Sequence, residues 1–298
     1  MSINLNDASA AEAFLANQTT IIQREVNLDP GYGILYPQFV PVVGGNPWAQ
    51  SVTFLSTKKY GEAGYINGNA DDVPMADASL NASVQQVYMG GIGYGYGLAE
   101  INEARQGGYN LSSEKALAAR RAYQLKVEDI VFNGDSSKGF VGMKGLTASQ
   151  AQTGTAITKW VSGTSTAQQI ANDLVTLVKM TGPGNAPTAD TIVMDDAQYD
   201  IADTTFFSNG SMTAIDYIKR KYPGMRVAGV SGLVNGSSKS LYIAYRRSPD
   251  VLALQLPMPH RFLPVYQAGP LRWEVPGIFR VGGMNFKNKQ DIAFLASA

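Results

Sequence analysis

One helical stripe restricts the folding of this chain more than any other sequence feature. Between Ser112 and Phe132 the apolar residues Ala116, Ala119, Tyr123, Val127 and Ile130 recur at steps of three and four, which puts them on one face of a helix. Asn110 or Ser112 can cap its start, Glu114 complements the first turn, and Gly134 supplies the stop. That predicts a helix about 31 Å long at roughly 1.5 Å per residue. Arg120, Arg121, Lys126 and Glu128 occupy its opposite side.

The elements around it do not alternate. Residues 1–45, with Asp29-Pro-Gly-Tyr-Gly33, Pro37, Pro41 and Gly44-Gly45, read as an arm rather than a core, because proline lacks a backbone donor and glycine is costly to order. Trp48–Lys58 and Leu80–Gly97 read as two β segments around a polar tip, Tyr60–Asp77. Neither face of the return segment is clearly apolar, which suits a projecting hairpin that packs on another molecule. After the long helix, Thr166-x-x-Gln169 forms a capping box for a helix ending near Gly182-Pro-Gly184. A strand at Asp190–Met194 leads into a short helix capped by Asp195 or Asp196, and Ser211–Tyr222 reads as a further helix. Strands are expected at 226–230, 240–245, 251–256, 272–281 and 291–295, with Pro276 breaking the fourth. This order predicts an α+β protein and excludes a doubly wound sheet.

Composition narrows the chemistry. The 298 residues contain no Cys and one His, which removes disulfides, thiolate nucleophiles and multi-His metal clusters. No apolar run is long enough to span a membrane, and Met1–Asp7 has no signal-peptide character, so a soluble cytoplasmic product is expected. Lys and Arg balance Asp and Glu at 24 each, and charged residues are only 16% of the chain. Near-zero net charge promotes association, and low-charge, Tyr-rich surfaces are those that subunit interfaces use. The same balance argues against a dedicated nucleic-acid binder.

Candidate active groups read better as structure. Gly90–Gly97 fits no phosphate-loop frame, and glycines in a strand more often permit close backbone approach. Asp195-Asp196 fits a helix start better than a metal pair. Asn67-x-Asn-x-Asp71-Asp72 lacks the glycine and distal glutamate of a calcium loop. His260, in Pro257-Met-Pro-His-Arg-Phe262, has no nominated nucleophile and reads as a packed residue in a rigid connection. A hydrolase using Asp195 or Asp196 with His260 is the remaining enzymatic alternative. No catalytic residue, cofactor or metal is expected.

The order of parts resembles tailed-phage major capsid proteins of the Hong Kong 97-type fold. Residues 128–135 (Glu-Asp-Ile-Val-Phe-Asn-Gly-Asp) with Gly139–Leu146 are similar to the passage that ends the family's spine helix. Thr191–Tyr199 is similar to the strand-to-helix step of its axial domain, and 275–283 with 291–295 resemble its returning peripheral strands. The resemblance implies an N-terminal arm (1–47), an extended hairpin loop (48–97), a peripheral domain (98–160, spine helix 112–133), an axial domain (161–256) and peripheral return strands (257–298). It also implies a non-enzymatic subunit that forms pentamers and hexamers in an icosahedral shell around double-stranded DNA. Partners would be portal, scaffolding and decoration proteins, with DNA touched only non-specifically and no membrane. Assembly would occur in the host cytoplasm and the product would be a virion. Trp48, Phe54, Lys58, Lys59, Tyr60, Tyr65, Tyr88, Arg120 and Arg121 are the expected inter-subunit contacts. Some relatives join subunits by a Lys–Asn isopeptide bond. Lys58 and Lys59 with Asn285 and Asn288 cannot be registered on that pairing and read as surface residues. The nearest alternative within the fold is an encapsulin-type nanocompartment shell.

Overall fold

The computed structural model describes residues 33–63, 65, 75–107, 111–182, 186–208, 210–235 and 239–298. The chain enters through a short helix, α1 (Tyr36–Phe39), and a two-residue strand, β1 (Val42–Val43), which runs parallel to Leu254–Gln255. Part of the expected arm is therefore core. Tyr36, Phe39 and Val40 are buried, and the Tyr245 hydroxyl donates to the Phe39 carbonyl at 3.0 Å. Three closely spaced aromatic and branched side chains outweigh the flanking prolines once a complementary surface exists.

Strands β2 (Ser51–Tyr60) and β3 (Asp77–Gln86) form an antiparallel ladder of ten pairs, from Ser51↔Gln86 to Tyr60↔Asp77. The ladder stops short of the expected Gly97. The next strands, β4 (Tyr88–Gly91) and β5 (Tyr94–Gly97), instead pair with strands from the far end of the chain. Gly90 shows why: a Cβ there would collide with the Phe279 ring, so only glycine lets the two strands close.

Helix α2 (Leu98–Gly107) precedes the long helix α3 (Leu111–Phe132). Asn110 lies outside the described residues, and Ser112 is already inside α3. The apolar stripe behaves as its spacing demands: Ala119, Tyr123, Val127 and Ile130 are buried, joined by Val131 and Phe132. Gly134 ends the run with φ +78°, and a Cβ there would lie 2.5 Å from the Phe140 carbonyl oxygen. Strands β6 (Gly134–Asp135), β7 (Phe140–Val141) and β8 (Gln152–Thr153) follow.

Helix α4 (Ala167–Lys179) starts at the expected Thr166–Gln169 capping box. Strand β9 (Thr191–Asp195) leads into α5 (Asp196–Thr204), where Asp195 is the N-cap residue but makes no side-chain capping bond. The next helix, α6 (Ala214–Lys221), starts three residues later than expected because Thr213 and Asp216 form a capping box of their own. Lys219, Arg220 and Lys221 fall in its last turn, as their charge favours.

Strands β10 (Arg226–Val230), β11 (Leu241–Tyr245) and β12 (Leu252–Gln255) match expectation closely. Residues 257–262 do not form the expected rigid connection. They contain strand β13 (Met258–Phe262), with Pro259 tolerated because β13 is an edge strand with a register shift between Met258 and Arg261. β14 (Tyr266–Gly269) was not legible in the sequence. Pro276 divides β15 (Arg272–Val275) from β16 (Gly277–Val281) as anticipated, and β17 (Gly283–Phe286) and β18 (Ile292–Ala296) complete the chain.

The central sheet has the order β10-β9-β11-β18-β8. Its central strands β9, β11 and β18 are apolar on both faces because each face has a cover. Val193, Ile243, Tyr245 and Ile292 join the core cluster that holds the buried stripe of α3. Ile192, Met194, Tyr242, Ala244, Ala293 and Leu295 face the second cluster, built with α4 and α6. The last strand, expected among the peripheral returns, pairs with β11 instead. Its apolar residues on both faces need two covers, which the central sheet supplies.

Candidate assembly surfaces

The expected contact residues fall in three places. Trp48 stands at the base of the hairpin, in a turn where its backbone N–H donates to Asn46 Oδ1 at 3.0 Å. It is 59% exposed, with the guanidinium carbons of Arg261 and Arg280 5.7 and 6.0 Å from the centres of its rings. Phe54, farther along on β2, is half-buried, with Lys287 Nζ 5.6 Å from its ring. Gln85 ties the other strand of the hairpin base to the body by donating to the Met284 carbonyl at 3.1 Å.

Lys58, Lys59 and Tyr60 lie at the distal end of the ladder, opposite Ser79, Ala78 and Asp77, and Tyr65 is exposed beyond them. Tyr88 is not at the hairpin. It packs edge-on against Phe140 at 5.6 Å with Lys138 Nζ 5.0 Å from its ring. Arg120 and Arg121 are exposed on α3, between the exposed Leu117 and Leu125.

Sequence reading missed another surface. Leu98, Leu263, Val265, Tyr266 and Leu271 are all exposed around the sheet β14-β15-β5, where Leu98 N–H donates to the Leu271 carbonyl. Only Pro270-Leu-Arg272, an apolar residue in a turn, hinted at it. Exposed apolar residues gathered at one end of a molecule mark interaction surfaces.

The enzymatic alternative finds no geometry. His260 sits among Tyr123, Phe262 and Phe279, stacked on Tyr123 at 5.3 Å, and its Nε2 is 3.0 Å from the Ile92 carbonyl oxygen. Burial pushes the Tyr123 hydroxyl up to about 12, with Tyr36 adding to the shift. Asp195 and Asp196 belong to a different sheet and helix and are not among the neighbours of His260. Among the described residues no group of three or more His, Cys, Asp or Glu could hold a metal. The Gly90–Gly97 run lies in β4, β5 and their connection, and the Asn67–Asp72 segment lies outside the described residues. No helix among the described residues is long and apolar enough to cross a membrane.

A family model described as major capsid protein matches residues 61–297. The chain belongs to the major capsid protein family. The capsid of Myoviridae phage XM1 superposes with a TM-score of 0.78 at 18% identity, covering 95% of this chain and 98% of that one. The capsid of a native GTA particle gives 0.69 at 13% identity, covering 99% and 100%. The virus-like particle from Pyrococcus furiosus gives 0.52 at 15%, covering 87% and 91%. No curated protein sequence matches. The fold is therefore the Hong Kong 97-type capsid fold, and the capsid subunit is a structural component of a virion rather than an enzyme. It assembles with copies of itself, and the nanocompartment alternative is not favoured.

Proposed function

We propose that the subunit forms pentamers and hexamers that tile an icosahedral shell around double-stranded DNA, with the β2–β3 hairpin of each copy lying on a neighbour. One observation carries this reading. The described hairpin is held by its own ladder, and its base is tied to the body through Gln85 and Phe54. A two-stranded ribbon is marginal alone in water and needs a surface to pack on. In the proposed division, residues 1–47 are an arm that enters the core at α1, 48–97 the loop and strands β4 and β5, 98–160 and 257–291 the peripheral part, and 161–256 the axial part, which β18 joins by pairing with β11. Trp48, Phe54, Lys58, Lys59, Tyr60, Tyr65, Tyr88, Arg120 and Arg121 contribute to contacts between copies.

Portal, scaffolding and decoration proteins would join during assembly in the host cytoplasm. The neutral chain would touch DNA only non-specifically, through backbone contacts that carry no sequence information. Deleting residues 61–76 tests the role of the hairpin. Purified protein lacking them should remain as free subunits or capsomers, whereas shells formed as readily as by the parent would contradict the proposal.

A further inference from the structure

The sheet β13-β16-β4 carries an unbalanced positive site on the face opposite His260 and Phe279. Neighbouring residues on a strand point to opposite faces, so Arg261 and Arg280 lie away from the aromatic cluster. Arg280 is only 8% exposed. Its Nη1 donates to the Pro47 carbonyl at 3.3 Å, while its buried Nε has no acceptor. Arg261 is exposed and, like Arg280, has no carboxylate within 4.0 Å among the described residues. Both guanidinium groups lie over Trp48, and the ring face offsets part of their charge. A nearly buried guanidinium without a carboxylate is costly, so a site built this way favours an incoming anion.

The matching charge is elsewhere in the same sequence. Residues 61–76 contain Glu62, Asp71 and Asp72 and neither Lys nor Arg, so in a chain of net zero charge the remainder carries a formal +3. Trp48 stands at the base of the hairpin, and ten paired residues at roughly 3.4 Å each place the last pair of the ladder, Tyr60 and Asp77, about 30 Å away.

We propose that the acidic segment between β2 and β3, residues 61–76, of one subunit docks its carboxylates on Arg261, Arg280 and Trp48 of a neighbouring copy. This rests on the hairpin-to-neighbour reading above and names the chemistry of the contact. Charge exchange tests it on purified, DNA-free protein, with shell formation followed by light scattering and electron microscopy. Arg261→Glu is the first variant, chosen because Arg261 is exposed; Glu62→Arg with Asp72→Arg is the second, and their combination is the third. Circular dichroism and thermal unfolding confirm that each variant folds.

Each single-sided change should raise the concentration needed for shells by about tenfold, and the combination should recover most of that loss. A combination no better than the worse single-sided variant, or Arg261→Glu assembling like the parent, would overturn the docking site. If Arg261→Glu lowers only DNA retention in filled shells, the site takes phosphate and the proposal is likewise wrong. Deletion of residues 61–76 separates the two levels. Loss of assembly on deletion without charge rescue refutes only this site, and normal assembly after deletion refutes the role of the hairpin itself.

Discussion

Asp291 is the carboxylate whose loss should cost this subunit most. Its side chain is 5% exposed and accepts three hydrogen bonds: from Thr188 Oγ1 at 2.6 Å, Arg246 Nη2 at 2.7 Å and Asn288 Nδ2 at 2.8 Å. These join the segment before β9, the end of β11 and the turn before β18, so one group pins the margin of the central sheet. Asp291→Ala removes the shared acceptor. The Arg246 side chain is 42% exposed and can turn to water, so its pairing contributes little more than the ~1 kcal/mol of a surface bridge. Thr188 and Asn288 lose a charged acceptor in a half-buried setting, at about 1 kcal/mol each. The total is about 3 kcal/mol, which at roughly 2–4 °C per kcal/mol lowers the melting temperature by about 6–12 °C. Differential scanning calorimetry of dilute, unassembled subunits reads this directly. Asp291→Asn, which keeps one acceptor oxygen, should lose about half as much. A melting temperature for Asp291→Ala within about 2 °C of the parent would refute the reasoning, because that corresponds to less than ~1 kcal/mol.

Other substitutions follow from the same geometry. Gly90→Ala drives a methyl into the Phe279 ring and should destabilise the fold by about 1–3 kcal/mol in urea unfolding. Thr213→Ala removes the hydroxyl that accepts the Asp216 N–H and should cost about 1 kcal/mol by the same assay. Burial raises the Tyr123 hydroxyl to about 12 from an ordinary 10.0, so the folded state holds its proton more tightly than the unfolded chain. Stability tied to Tyr123 is thus complete below pH 10.0 and is lost as pH rises toward about 12. Tyr123→Phe should flatten that alkaline decline in a pH series of thermal melts.

Much of the fold was legible where one local rule acted alone. The stripe from Ala116 to Ile130 with Gly134 as a stop located α3, and Thr166 with Gln169 located α4. Pro276 located the break between β15 and β16. Misreadings came where partners distant in sequence decide. Tyr36, Phe39 and Val40 look like part of an arm until Tyr245 and the rest of the core meet them. Pro257 and Pro259 suggest a connection, yet β13 forms because β16 offers an edge. Candidate contact residues on the hairpin could be named from its mixed faces and polar tip. Arg261 and Arg280 could not, since nothing local shows that residues 213 and 232 positions after Trp48 return to lie over it.

The central claim is that this chain builds a shell from copies of itself. Electron microscopy of the purified protein tests it most directly, taken at a concentration where its contacts should be saturated. Closed polyhedral particles of uniform size, with each hairpin lying across an adjacent subunit in the reconstruction, are the expected result. A protein that stays monomeric at high concentration, or particles in which the hairpin folds back on its own subunit, would contradict it.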